Sequence, residues 1–197
     1  MASHYFIEDE SLASDPKTFT YYFKSKPYTF TTDTGVFSAG GMDGNTDLLL
    51  QNLPALSGSL LDMGCGCGCI GIVLAKEYGL ELTQVDINPK AVRLTIENCK
   101  QNGVVSNAFV SDCFEHVTGK FDTVVINPPI HAGKEVVYNM YMGSHAHLNE
   151  GGKLYVVILK KHGAESSIVK LTELFGECEI LYKKKGCYVL CCTKTFA

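Results

Sequence analysis

The ten residues DMGCGCGCIG, Asp62 to Gly71, constrain the fold of this chain more than any other stretch. They follow the apolar pair Leu60-Leu61 and precede Ile72-Val73-Leu74-Ala75, which reads as a strand, a glycine-rich turn and a helix. Glycines at 64, 66 and 68 permit turn conformations that a Cβ obstructs, and they let a ligand lie against the main chain. At the mouth of a helix, unpaired N–H groups point outward toward such a ligand. A loop of this kind at the carboxyl end of a strand is where open α/β sheets bind nucleotide-like molecules. The remaining residues are expected to form the sheet behind this loop and the walls of its pocket.

From Leu60 onward, apolar runs alternate with helical patterns. Strands are predicted at 60–62, 82–86, 108–110, 122–126 and 153–159, and helices at 69–78, 88–102, 133–148 and 164–175. Asn88-Pro89 supplies a cap and a first-turn proline, Asn102-Gly103 a helix stop. This alternation predicts an α/β fold with a doubly wound, mostly parallel sheet. Segments 177–182 and 187–193 read as a closing hairpin that adds an antiparallel edge. Before the glycine loop, Thr18–Phe23 and Tyr28–Thr31 read as a hairpin separated by Lys24–Pro27. A short helix follows from about 45 to 53. The expected organisation is therefore an amino-terminal hairpin extension over 1–34, packed on one globular unit over 35–197. The hairpin edges leave room for a dimer.

A length of 197 residues suits one sizeable α/β domain. No stretch reaches the roughly 18 to 20 apolar residues that span a bilayer. The amino terminus, MASHYFIEDE, is acidic and lacks a signal-peptide pattern, so a cytoplasmic protein with no membrane contact is expected. The nine cysteines include no pair of Cys-x-x-Cys knuckles, so no metal is expected and they read as small buried hydrophobes. A net charge of -4 argues against indiscriminate nucleic-acid binding but not against a local basic patch. Lys160-Lys161-His162 and Lys183-Lys184-Lys185 are candidates, as are Lys24 and Lys26; each is also readable as solvated loop lysines.

Gly66-Cys67-Gly68-Cys69-Ile70-Gly71 satisfies the spacing G-x-G-x-x-G, with Asp86 placed to meet a ribose, which keeps an NAD-dependent oxidoreductase open. Asp62 points elsewhere. A carboxylate ending the strand before the glycines sits against the ligand, where it repels a pyrophosphate and suits a cationic amino group. Asn127-Pro128-Pro129-Ile130 is sharper still. A proline pair stops a strand, and here the stop falls beside the glycine loop. Rigid prolines hold the Asn127 amide oxygen and the Pro128 carbonyl as two fixed acceptors, which is what a planar –NH2 group requires. They orient its lone pair and stabilise the positive charge that develops on attack at a sulfonium methyl group. No metal or covalent intermediate is needed.

Taken together, TFTTDTGVFSAGGMDGNTDLLL, LLDMGCGCGCIGI, VDINPKAV, SDCF, FDTVVINPPIHAGK and LNEGGKLYVV, with HYF near the start, resemble the class I S-adenosylmethionine-dependent methyltransferases. The chain is most similar to the small-domain family that includes the 16S ribosomal RNA guanine-N2 methyltransferase C. The resemblance implies a seven-stranded sheet with its last strand antiparallel, and S-adenosylmethionine as cofactor. It implies that Asp62 and the loop Gly64, Cys65, Gly66 and Gly68 line the methionine and ribose side. Asp86 would bind the ribose hydroxyls, Ile87 would lie against the adenine, and Asp112 and Cys113 would meet its edge and face. Asn127, Pro128, Pro129 and Ile130 would present the target amine, while Phe37 and Asp43 would cover the cofactor. The implied partner is ribosomal RNA or the small ribosomal subunit. Ile130 stands where the family usually carries an aromatic; His131 or an aromatic of the hairpin is the candidate replacement, although His131 also reads as an ordinary loop histidine. Longer family members carry an additional domain, so RNA recognition is expected from this domain or from the subunit. The same Asn-Pro-Pro chemistry also suits an adenine amine or a glutamine amide, and an inactive binding protein on this fold stays open.

Overall fold

The computed structural model describes residues 13–37 and 40–195. The MASHYFIEDE segment, with its HYF match and its reading as no signal peptide, lies outside the described residues, as does Ser38.

Strands β1 (Lys17–Phe23) and β2 (Lys26–Thr32) form a separate antiparallel hairpin, in register from Lys17 opposite Thr32 to Phe23 opposite Lys26. Its turn is tighter than the spacing suggests. Lys24 and Ser25 alone make it, at φ 48° and 64°, the left-handed pair that matches strand twist in a two-residue connection. Pro27 falls near the start of β2, where a missing N–H is tolerated. Alternation places Tyr21, Phe23, Tyr28 and Phe30 on one buried face.

The main sheet contains β3 (Ser59–Met63), β4 (Glu81–Asp86), β5 (Ser106–Val110), β6 (Phe121–Ile126), β7 (Leu148–Leu159), β8 (Glu179–Lys184) and β9 (Cys187–Thr193), in the order β5-β4-β3-β6-β7-β9-β8. It is the seven-stranded Rossmann-like sheet of class I methyltransferases. The pairs β3/β4, β4/β5, β3/β6 and β6/β7 are parallel, and β9 is antiparallel to both its neighbours. The closing hairpin thus differs from an antiparallel edge: β9 inserts between β7 and β8, and β8 forms the edge running with the parallel set. The crossover through α5 (Ala164–Phe175) leaves one strand's width open beside β7, which the returning β9 fills. Composition fits these places. Cys187–Cys192 are buried throughout, whereas β8, EILYKK, carries the charges that protect an edge. Strand β7 also starts earlier than 153, because Leu148 pairs with Phe121 ahead of an irregularity in the register.

Helices α1 (Gly44–Asn52), α2 (Cys69–Tyr78) and α3 (Pro89–Asn102) pack one apolar face of the sheet together with the hairpin. Helix α4 (Lys134–His147) and α5 cover the other. Both faces of the central strands are therefore apolar, as a buried parallel sheet requires. The hairpin is held by two asparagines one turn apart on α3. Asn102 Oδ1 accepts from Thr29 N (3.0 Å) and its Nδ2 donates to Thr29 O (2.7 Å). Asn98 repeats the pattern on Thr31, at 2.8 and 2.9 Å. Side-chain amides thus stand in for a third strand, and this edge of β2 is not open to another molecule.

Candidate functional site

The topology reverses at β3, which has β4 on one side and β6 on the other, and this is where open α/β sheets form their crevice. A cavity of about 850 Å³ lies at the carboxyl ends of these strands. Its floor is the glycine loop. Gly64, Gly66 and Gly68 all have left-handed φ, at 75°, 57° and 87°. The N–H groups of Gly64 and Cys65 both donate to Val85 O, at 2.9 and 3.0 Å, so the loop peels away from the last rung of β4. Asp86, next along β4, fixes it: Oδ2 accepts from Gly66 N (2.8 Å) and Oδ1 from Asn88 N (2.9 Å). Burial raises the Asp86 carboxyl above its ordinary value, and the N–H groups of Asn88 and Gly66 oppose that shift. Asp86 is itself part of the cavity lining.

Asp62 is placed otherwise than its sequence position suggests. It lies fully buried beneath the loop and outside the cavity lining. Its Oδ2 accepts from Gly71 N (2.8 Å) and Gln84 Nε2 (3.2 Å), and among the described residues Oδ1 has no partner. Gly68 caps α2 and is also absent from the lining. The reason is close packing at the helix mouth: a Cβ on Gly71 would stand 2.6 Å from Gln84 Nε2 and 3.0 Å from Asp62 Oδ2. Asp62 therefore braces the loop from below. Burial pushes its carboxyl up to about 6, against the bonds from Gly71 and Gln84. The unfolded chain ionises this group first, so native stability falls by about 3 kcal/mol as pH rises from about 4 to 6, and stays lower above. Asp62→Asn is expected to remove that part of the profile in denaturant unfolding across this range. A variant that kept the wild-type slope would show that another group is responsible.

The remaining walls come from the other strand ends. Ser111 N donates to Asp86 O (3.0 Å), and Cys113, at φ 46°, turns with Asp112 toward the cavity. Ile87, 38% exposed, lines the same side. Phe37, 48% exposed, lies over Gly66. Its segment is tied to α3 by an ion pair between Lys90 and Asp33 (2.9 Å) and by Asn88 Nδ2 donating to Gly35 O (3.1 Å).

Asn127 follows β6 directly and is half-buried. Its Nδ2 donates to Asp43 Oδ2 (3.3 Å) and to Thr46 Oγ1 (3.2 Å). Asp43 is also the cap of α1, accepting from Asn45 N and Thr46 N at 3.0 and 3.1 Å. A carboxylate only accepts, so the amide has one orientation and Oδ1 is left as an acceptor. Pro128, Pro129 and Ile130 continue along the cavity wall, and Ile130–Ala132 form a single helical turn. His131 and His162 lie beside Ile130 in the lining, whereas the described hairpin residues contribute nothing to it. Tyr21, Phe23, Tyr28 and Phe30 face inward and the exposed Tyr22 does not reach the lining, so the rings beside Ile130 are those of the histidines. Thr46 lies in the first turn of α1 and His162 in a lysine-rich turn, but nothing local marks either as a wall of this cavity.

The cysteines at 67, 69, 99, 187 and 191 are packed in the core. Among the described residues, no group of three or more His, Cys, Asp or Glu side chains is arranged to hold a metal ion, and no helix is long and apolar enough to cross a membrane.

Comparison with known proteins agrees with this geometry. An uncharacterized protein of Bacillus subtilis, YbxB, is 40% identical over 196 residues, covering 96% of this chain and 98% of that one. The ribosomal RNA small subunit methyltransferase C of Aeromonas hydrophila is 42% identical over 128 residues, which are 62% of this chain and 37% of the relative. In three dimensions, the Thermus thermophilus 16S rRNA N2 G1207 methyltransferase, solved with AdoMet and guanosine, superposes with a TM-score of 0.81 at 28% identity. That match covers 91% of this chain and 50% of the other, so the chain spans about half the length of this relative. The profile of the methyltransferase small domain matches residues 27–191, which include every wall of the cavity, and the chain belongs to that family.

Proposed function

We propose that the protein is an S-adenosylmethionine-dependent methyltransferase that methylates the exocyclic N2 amine of a guanine in small-subunit ribosomal RNA, in the cytoplasm. The observation that carries this reading is the Asn127 amide, locked by Asp43 and Thr46 so that its oxygen is an acceptor at the cavity wall beside the glycine loop. The residues present suit the cofactor. The Asp86 carboxylate offers acceptors for vicinal hydroxyls, Ile87 and Cys113 offer apolar contact for a base, and the glycine loop leaves main chain open beside them. When bound, the cofactor supplies an electrophilic methyl group on a sulfonium.

The chain's own residues then do the positioning. Asn127 Oδ1 and the Pro128 carbonyl accept the two N–H groups of the target amine and aim its lone pair. Because both acceptors are fixed before the reaction, they stabilise the charge that grows on nitrogen without reorganising. The nitrogen sheds its proton to solvent after the methyl has moved, so no base need act beforehand. Ile130, with His131 and His162, packs on the base. The Thermus thermophilus relative, an N2 G1207 methyltransferase solved with guanosine, supports the guanine target, and the name of the Aeromonas hydrophila relative supports small-subunit ribosomal RNA.

The test is transfer of labelled methyl from S-adenosylmethionine to unmodified small subunits and to bare 16S RNA, followed by nucleoside analysis. Label in N2-methylguanosine is expected. Label in another nucleoside would reject the guanine target, and tighter binding of NADH than of S-adenosylmethionine would reject the methyltransferase reading itself.

A further inference from the structure

Two lysine clusters that are far apart in sequence meet on the same rim as the cavity. Leu159 at the end of β7 pairs with Cys187 at the start of β9, and Cys187 pairs with Lys184 at the end of β8. Lys160 N donates to Gly186 O (2.7 Å), which joins the Lys160–His162 turn to the β8–β9 turn. Because β8 runs with the parallel set, Lys183 and Lys184 mark a carboxyl strand end, as Asn127 does on β6. Three strand spacings, about 14 Å, separate the two. The cavity linings reach Lys161, and the Lys160–Gly186 bond carries the rim on to the β8–β9 turn. His162 lines the main cavity beside Ile130 and His131, and Lys161 and Lys134 line a smaller hollow of about 290 Å³ that shares Ile130 and His162 with it.

These cations are available. Lys24 and Lys26 in the hairpin both engage Glu77, at 3.6 and 2.7 Å, and Lys90 engages Asp33 at 2.9 Å. Among the described residues Lys161, Lys184 and Lys185 are exposed and make no ion pair. Lys160, among the described residues, pairs only with the exposed Glu165 (3.2 Å), a contact of little energy. Burial, then Lys161 and His131, hold His162 below its ordinary value, in keeping with a positive neighbourhood. In a chain of net charge -4, this concentration of positive charge next to the Ile130 side of the cavity is local.

We propose that the rim formed by Lys161, Lys184 and Lys185 is a track for the phosphate backbone of single-stranded RNA, leading into the side of the cavity where Asn127 and Ile130 stand. The proposal rests on the reading of that side as the one that receives the target base. It adds the path of the flanking nucleotides. Phosphates along the track meet flexible lysines as point charges, which gives affinity and register without reading sequence. Base identity is left to the Asn-Pro-Pro wall.

The test compares the full chain with a Lys161→Gln/Lys184→Gln/Lys185→Asn variant. Asparagine at 185 suits the left-handed φ of 50° there. Binding of a short labelled single-stranded RNA is measured by fluorescence anisotropy over a salt series, without methyl transfer. The variant is expected to bind at least about tenfold more weakly, and its slope of log affinity against log salt to fall by about 2, since each neutralised phosphate contributes about 0.7. Lys161→Glu alone is expected to act in the same direction, and S-adenosylmethionine affinity should be unchanged in both. Equal affinity and slope in wild type and variants, or no RNA binding by wild type at low salt, overturns the track. So does displacement of RNA by polyglutamate of matched charge at equal concentration, which would mark a surface for acidic protein. Lysine-dependent RNA binding without methyl transfer counts against the guanine reading and leaves the track standing.

Discussion

Replacing Asn127 with alanine is expected to slow methyl transfer by roughly 10²- to 10³-fold and to leave S-adenosylmethionine affinity within about twofold. The reasoning starts from the amide's two anchors. Asp43 Oδ2 and Thr46 Oγ1 hold Nδ2 from helix α1, so Oδ1 is preorganised for a donor that arrives only with the substrate. Alanine removes an acceptor whose contact strengthens as the target nitrogen becomes positive, so the rate constant falls more than binding does. Thr46→Val removes one anchor at constant shape and is expected to produce a smaller loss of the same kind, about tenfold. Stopped-flow or quench measurement of a single turnover, beside a cofactor titration, separates the two quantities. Loss of cofactor binding with turnover retained would be the opposite result and would sink the assigned role.

Asn98→Ala is expected to have the largest effect on stability. Its amide makes the two bonds to Thr31, and Nδ2 also donates to Cys67 O in the glycine loop at 2.8 Å. Asn98 is fully buried, so alanine leaves three backbone groups without partners in the interior. At about 1 kcal/mol for each, the loss is about 3 kcal/mol. The substitution frees the hairpin and unpins the loop together, so cofactor affinity should fall with stability. Denaturant unfolding gives the first quantity, hydrogen exchange at the Thr31 amide the location, and calorimetry the second. A change in stability below about 0.5 kcal/mol, the size of an ordinary surface substitution, would show that the Asn98 bonds do not hold the hairpin.

Local chemistry was readable from the sequence wherever it acts over a few residues. The Asn88-Pro89 cap, the Gly103 stop and the left-handed glycines of the loop all follow from backbone geometry that few residue types satisfy. So do the strand ends at Asp86 and Asn127, because loss of the apolar run and a proline pair both mark a boundary. What could not be read depends on partners far along the chain. Asp43 and Asn127 are 84 residues apart, and nothing in either segment specifies that one amide rests on the other's carboxylate. Asp62 looks ligand-facing because its neighbours are. Its direction is set instead by Gly71 and Gln84, which draw the carboxylate under the loop. The interior position of β9 has the same origin: hairpin partners are visible in sequence, but which of them borders β7 is decided by the crossover.

The place of β9 also bears on the order in which the molecule matures. It comes later in the chain than every other described strand, yet it occupies the interior of the sheet. During synthesis, strands β3 to β6 can assemble with α2 and α3 while the ribosome is still producing the rest, since folding proceeds from the amino-terminal side. Until residues 187–193 emerge, β7 and β8 each present a bare inner edge, and β7 is apolar on both faces there. Such an edge is a template for pairing with another nascent chain. The cofactor half of the crevice is therefore complete early. The lysine rim, which needs the Lys160–Gly186 contact, forms last, and shielding by a chaperone matters most in the interval between the two.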